Sequence, residues 1–160
     1  MLTNTQKATL KTAILAELDP VFVAYRTAGA TGQMAEWFNQ PSTVTVWRTQ
    51  VPKDEITSNG FLWERLAAMT VGQARIWDGL FDNNQRSMNS SKANVRDGIE
   101  RAWSGALEAA QRAAIYSHCK RLATRAEKLF ASGLGTDVAP SNMGFEGQIT
   151  DQDVVRAIND

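Results

Sequence analysis

Helix punctuation constrains this chain more than any other feature. Thr3-x-x-Gln6 and Thr70-x-x-Gln73 both have the form of a capping box, in which each side chain satisfies a free backbone N–H of the other. Asp19-Pro20 sets an N-cap residue before a proline whose missing N–H costs nothing at the first helical position. Pro41 and Gly133 supply stops. Between these marks the apolar residues recur at helical spacing. Leu10, Ile14 and Leu18 form one stripe, and Val21, Phe22 and Tyr25 face inward from a short second helix. "QMAEWFNQ" makes a third. Over 61–81 the stripe is Leu62, Leu66, Met69, Gln73, Ile76 and Leu80, with a break near Met69 where the second box begins. Residues 91–103 and 105–132 complete the helices. In the last of them Ile115, Cys119, Leu122, Ala126 and Leu129 step by four, three, four and three along one face.

Two stretches break this pattern. "TVTVWRTQ" (43–50) is a strand-length run of β-branched and aromatic residues, followed by Val51-Pro52 and a short helix in "KDEITSNG". "DNNQRSMNSS" (82–91) is polar and reads as a loop. Beyond Gly133 the chain is glycine-broken yet carries isolated apolar residues. The expected fold is therefore mostly α: a single-domain helical bundle with one extended segment and an extended C-terminal arm. Residues 1–133 form the body, and 134–160 form a docking arm ending in a short helix.

At 160 residues the chain fits one domain able to bury roughly 70% of its unfolded surface. Seventeen basic residues balance seventeen acidic ones, so no global field points to nucleic acid or anionic membrane. The balance fails locally. Residues 84–130 hold nine Lys/Arg against four Asp/Glu, while 131–160 hold one against five. A basic helical segment followed by an acidic tail suggests that the two meet, within a chain or between neighbours. No apolar run approaches the ~20 residues needed to cross a bilayer, and the first residues lack a signal-peptide core, so a soluble protein is expected.

Chemistry finds few candidates. The single histidine, His118, adjoins the single cysteine, Cys119. Adjacent helical residues point about 100° apart, which does not suit a thiol–imidazole pair. Cys119 also sits on the apolar stripe, as a buried small hydrophobe would. A zinc site needs more ligands of these types than the chain owns. Asp151 and Asp153 stand at a helix start, where carboxylates favour the free N–H groups. "GLG" (133–135) lacks the strand–loop–helix setting of a phosphate cradle. Neither a catalytic residue nor a cofactor or metal site is expected. Five tryptophans supply core and contact area. Arg112, Lys120, Arg121, Arg125 and Lys128 line the expected last helix and could face a partner or track a phosphate backbone.

The tail segment "ATRAEKLFASGLGTDVAPSNMGFEGQITDQDVVRAI" resembles the C-terminus of a family of small proteins encoded among the virion-morphogenesis genes of tailed bacteriophages. "LTNTQKATLKTAILA", "MAEWFNQPSTVTVWRTQVPKDEI" and "SSKANVRDGIERAW" match the same pattern, so the likeness spans nearly the whole chain. It implies a head-to-tail connector (adaptor or neck protein), a non-enzymatic ring, dodecameric, beneath the portal in the virion neck and assembled in the host cytoplasm. The implied partners are the portal protein, tail or neck ring proteins and further copies of the chain, with non-specific contact to packaged DNA and no membrane. Other neck, tail-completion or head-decoration roles stay open, as does a small DNA-binding packaging accessory. On this reading Met143, Phe145 and Ile149 anchor the arm in a neighbour's groove. Asp151 and Asp153 meet Arg121, Arg125 and Lys128 of the next subunit or a portal surface.

Overall fold

The computed structural model describes residues 1–58, 60–81 and 86–159. Its elements follow the caps. The Thr3 box opens α1 (Asn4–Ala16), with the Gln6 N–H donating to Thr3 Oγ1 at 3.2 Å and the Thr3 N–H to Gln6 Oε1 at 2.9 Å. Asp19 Oδ1 accepts the Val21 N–H at 2.9 Å and starts α2 (Pro20–Thr27). Then come α3 (Thr31–Asn39), β1 (Pro41–Trp47), β2 (Val51–Pro52), α4 (Lys53–Ser58) and α5 (Trp63–Ala67). The break near Met69 is real: the Thr70–Gln73 box opens α6 (Val71–Gly79). There follow β3 (Ser87–Met88), α7 (Ala93–Ala102), α8 (Ala109–His118), β4 (Lys120–Thr124), α9 (Arg125–Phe130) and α10 (Asp151–Asn159). The result is a mostly helical, single-domain fold with small β elements and a C-terminal helix. Among the described residues no helix is long and apolar enough to cross a membrane.

The expected helix over 105–132 is a correction. It is α8, then a strand, then α9, and β4 pairs with β1. Its start shifts as well, since residues 105–108 precede α8. Thr124 and Glu127 form a third capping box, which restarts a helix where the 4-3-4-3 stepping suggests continuity. Strand alternation then replaces the helical stripe: Leu122 is 56% exposed while Ala123 is fully buried. The turn-rich run 82–91 divides as well. Residues 82–85 lie outside the described residues, and Ser87–Met88 pairs antiparallel with Val51–Pro52.

Cα packing divides the chain into two compact units. In the first, Met1–Thr45 with Leu122–Asp160, the core is built from Leu10, Ile14, Phe22, Met34, Phe38, Ala126, Ile149, Val154 and Ala157. Phe22 meets Phe38 edge-on, with ring centroids 5.4 Å apart. Arg26 donates to the Ile14 and Leu15 carbonyls at 2.7 and 2.9 Å, satisfying the C-terminal end of α1. Two inward assignments fail here. Leu18 and Val21 face solvent, because α1 ends at Ala16 and the chain restarts before either could continue its stripe.

The second unit, Val46–Arg121, packs Val51, Ile56, Phe61, Trp77, Phe81, Met88, Ile99, Trp103 and Ile115 together. Trp103 meets Trp77 and Phe61 edge-on at 5.3 and 5.7 Å. Of the stripe expected over 61–81, Leu66, Met69 and Leu80 pack against this core, and Leu62 and Ile76 do not. Phe61 is buried in place of Leu62, and within α6, whose phase is set by the restart at Thr70, Trp77 is buried in place of Ile76.

The tail is stitched onto the first unit. The Gly144 N–H donates to the Phe130 carbonyl at 3.1 Å, and a Cβ on Gly144 would come within 2.5 Å of that oxygen. The Gly147 N–H donates to Glu127 Oε1 at 3.1 Å. Asn39 clasps the Ile149 backbone, accepting its N–H at 3.0 Å and donating to its carbonyl at 2.9 Å. Packing therefore does not divide the chain at Gly133. Residues 134–159 belong with the N-terminal helices, because their apolar side chains complete that core.

Candidate functional site

The residues expected to anchor a partner divide into three groups. Ile149 is 2% exposed and Phe145 packs edge-on against Phe130 at 5.6 Å, so both fill their own chain's core; Met143 is half-buried. This corrects the idea of a free arm: the groove that these side chains fill belongs to their own unit. Asp153 caps α10, accepting the Thr150 N–H and hydroxyl at 3.0 and 2.9 Å. Burial works to raise its pKa, but the Thr150 hydrogen bonds, joined by the Leu2 backbone N–H and the N-terminal ammonium, hold the carboxyl below its ordinary value. Asp151 is exposed at the same helix start. Arg121, Arg125 and Lys128 do not share a helix face. Arg121 lies on β4, while Arg125 and Lys128 lie on α9.

What the fold does assemble is a groove in the first unit, about 520 Å³ in volume. Trp37, Phe38, Pro41 and Leu129 give it apolar walls, and Arg125 and Lys128 give it cations. The Arg125 guanidinium carbon lies over the Trp37 ring, 3.8 Å from its centroid, a cation–π contact. Among the described residues no carboxylate pairs with Arg125 or Lys128. Two acids also line the groove, each hydrogen-bonded to backbone at the α1–α2 junction. Glu17 Oε1 accepts the Leu18 and Asp19 N–H groups at 3.0 and 3.1 Å, and Asp19 caps Val21.

A second feature of this unit is the loop 132–142. Ser132 and Asn142 exchange both backbone hydrogen bonds at 2.9 Å and close its base. Thr45 donates to the Gly135 carbonyl at 2.8 Å and accepts from the Ser141 N–H at 2.9 Å. Gly135 has φ +69°, and a Cβ there would come within 2.6 Å of Val44, so the position needs glycine. On this tethered backbone Leu134 is 81% exposed and Val138 94% exposed, with exposed Asp137 between them. Reading the sequence for helices missed this loop. Its signal is two large apolar residues set among glycines and Pro140, where no helical face exists to bury them.

In the second unit the titratable groups meet differently. Arg48 grips Glu55 through both guanidinium nitrogens, with Nη2 2.9 Å from Oε2, and His118 Nδ1 is 3.4 Å from Glu55 Oε1. The Arg48 hydrogen bond, only partly opposed by burial, lowers the Glu55 pKa. Cys119 lies in the apolar cluster, fully buried, and burial pushes its thiol up to about 11. Such a thiol is almost wholly protonated near neutral pH and is a poor nucleophile. Tyr116 is likewise raised, first by burial and then by its hydrogen bond with Glu100. Among the described residues, no three His, Cys, Asp or Glu side chains group as a metal-binding cluster.

The chain matches no family model, no curated protein and no solved structure.

Proposed function

We propose that this chain is a structural protein of a tailed-phage virion, a head-to-tail connector that joins the portal to the tail as a ring. The observation that carries the reading is the tethered loop 132–142, which holds Leu134 and Val138 out to solvent on hydrogen-bonded backbone. Large apolar side chains on pre-organised backbone cost little entropy to dock, which suits a protein–protein contact. The segments quoted above, spread from residue 2 to residue 158, supply the viral context. The groove beside Trp37 adds a second surface of complementary character. The packaging-accessory alternative draws less support, because the basic residues of 112–128 are divided among α8, β4 and α9. They do not line one helix, as the sequence reading of a basic last helix requires.

Image reconstruction of intact particles tests this directly. Density for this chain in a ring between portal and tail is the expected result. Density on the capsid surface would move the assignment to head decoration, and absence from particles would refute a structural role. Complementation with Leu134→Asp/Val138→Asp should yield filled heads without tails.

A further inference from the structure

We infer that α10 of one copy lies along the Trp37–Arg125 groove of a second copy, with Asp151 toward Arg125 and Lys128 and with Arg156 toward Glu17 and Asp19. This rests on the ring reading and names the contact that would close it. Helix and groove both belong to the first unit, so every copy carries one of each. Val154 and Ala157 bury the inner face of α10 in its own core. The outer face keeps two apolar side chains partly in solvent, Val155 at 40% and Ile158 at 39%. Helical residues advance by about 100° each, which puts Asp151 and Arg156 about 140° apart with Val155 between them. The outer face is therefore acidic along one flank and basic along the other. Among the described residues neither charge is neutralised within the chain. Asp151 accepts the adjacent Gln152 N–H at 2.7 Å, and Arg156 reaches the uncharged Gln152 amide at 3.4 Å.

The groove carries both signs in the same way. Arg125 and Lys128 line it from α9, while Glu17 and Asp19 line it from the α1–α2 junction. Among the described residues none of these four forms an ion pair, so the groove holds its cations and its acids apart. Glu17 and Asp19 each give one oxygen to backbone N–H groups and keep the other for an incoming cation. A purely acidic or purely basic partner meets like charge on one wall. A helix face with an acid on one flank, a base on the other and apolar side chains between meets none. Trp37 and Leu129 supply the apolar surface, and a volume of about 520 Å³ is ample for the valine and isoleucine side chains. Helix and groove are different patches, so the contact is heterologous. Repeated from copy to copy, it closes into a ring where the rotation allows, and otherwise extends as a filament.

Charge exchange tests the contact. Sedimentation velocity on the purified full-length protein, from micromolar to millimolar concentration, should show association that grows with concentration. Lys128→Glu alone, or Asp151→Lys alone, should raise the concentration required by on the order of tenfold. Mixing the two variants should restore association, because the unaltered helix of the first meets the unaltered groove of the second and the reversed charges also pair. Arg156→Glu should weaken association to a similar degree, since its flank faces Glu17 and Asp19. Should Asp151→Lys fail to fold by circular dichroism, Asp151→Asn, Lys128→Gln and the double variant replace the exchange. Losses that fail to add then support the contact, and additive losses refute it. Wild-type association that is insensitive to the reversals, a mixture that restores nothing, or unchanged association in Arg156→Glu overturns the helix–groove contact and leaves the ring reading standing. A monomer throughout the range also overturns the contact, while the particle reconstruction judges the ring reading separately.

Discussion

Replacing Ile149 by alanine isolates the tail's place in the fold. Its side chain is 2% exposed and packs in the cluster with Leu10, Ile14, Phe22, Met34 and Phe38. Ile149→Ala removes three buried carbons, worth about 2.4 kcal/mol at ~0.8 kcal/mol each. The cavity left behind adds about 1–2 kcal/mol, because Asn39 pins the backbone on both sides of the peptide and limits collapse. The expected loss is about 3–4 kcal/mol, a large share of the roughly 5–15 kcal/mol that holds a typical domain folded. Urea titration followed by circular dichroism and tryptophan fluorescence should shift its midpoint down by on the order of 1.5 M. Val138→Ala is the control. At 94% exposed it should move stability by no more than about 0.5 kcal/mol. If the two variants unfold at the same urea concentration, the tail is not part of the core, and the free-arm reading returns.

Three further outcomes follow from other contacts. Glu127→Ala strips acceptors from the Thr124 and Gly147 N–H groups at a buried site and should cost about 2–3 kcal/mol by the same titration; Glu127→Gln should recover part of it. Asp153→Asn tests the acid limb. With its folded pKa below the unfolded value of about 3.9, wild-type Asp153 contributes stability that is present above that value and lost as pH falls through the folded pKa. The variant should lack this part of the acid-induced loss, and identical acid profiles would refute the cap. The Cys119 thiol, buried and pushed up to about 11, should resist alkylation by iodoacetamide at pH 8 in the native protein and react once unfolded. Fast native labelling would show that its site opens.

Local signals were legible in the chain and long-range ones were not. Thr3, Asp19 and Thr70 announce their helices because each cap is completed within three residues. The Thr124–Glu127 box uses the same chemistry and could have been read as another start. The apolar stepping through Cys119, Leu122 and Ala126 masked it, since a strand alternating over five residues can imitate a helical stripe at this length. Phe145 and Ile149 looked like anchors for a partner, and they are anchors. What they grip is set by Asn39 and Phe130, and no sequence spacing reveals those pairings. Arg125 and Lys128, expected to face a partner, line one groove, but Trp37, whose ring the first contacts, lies 88 residues upstream of it.

The clasp between Asn39 and Ile149 also sets an order of events at the ribosome. The partners are 110 residues apart, and at about 5–20 residues per second the second emerges roughly 5–20 s after the first. Through that interval α1, α2 and α3 have no α10 or Ile149 to cover their apolar faces, while Val46–Arg121 is already synthesised and can gather its own tryptophan core. A nascent chain stalled before residue 149 therefore displays Leu10, Ile14 and Met34 to whatever is nearby, chaperone or sibling chain. Translation speed late in the message thus governs how long this protein is vulnerable to aggregation.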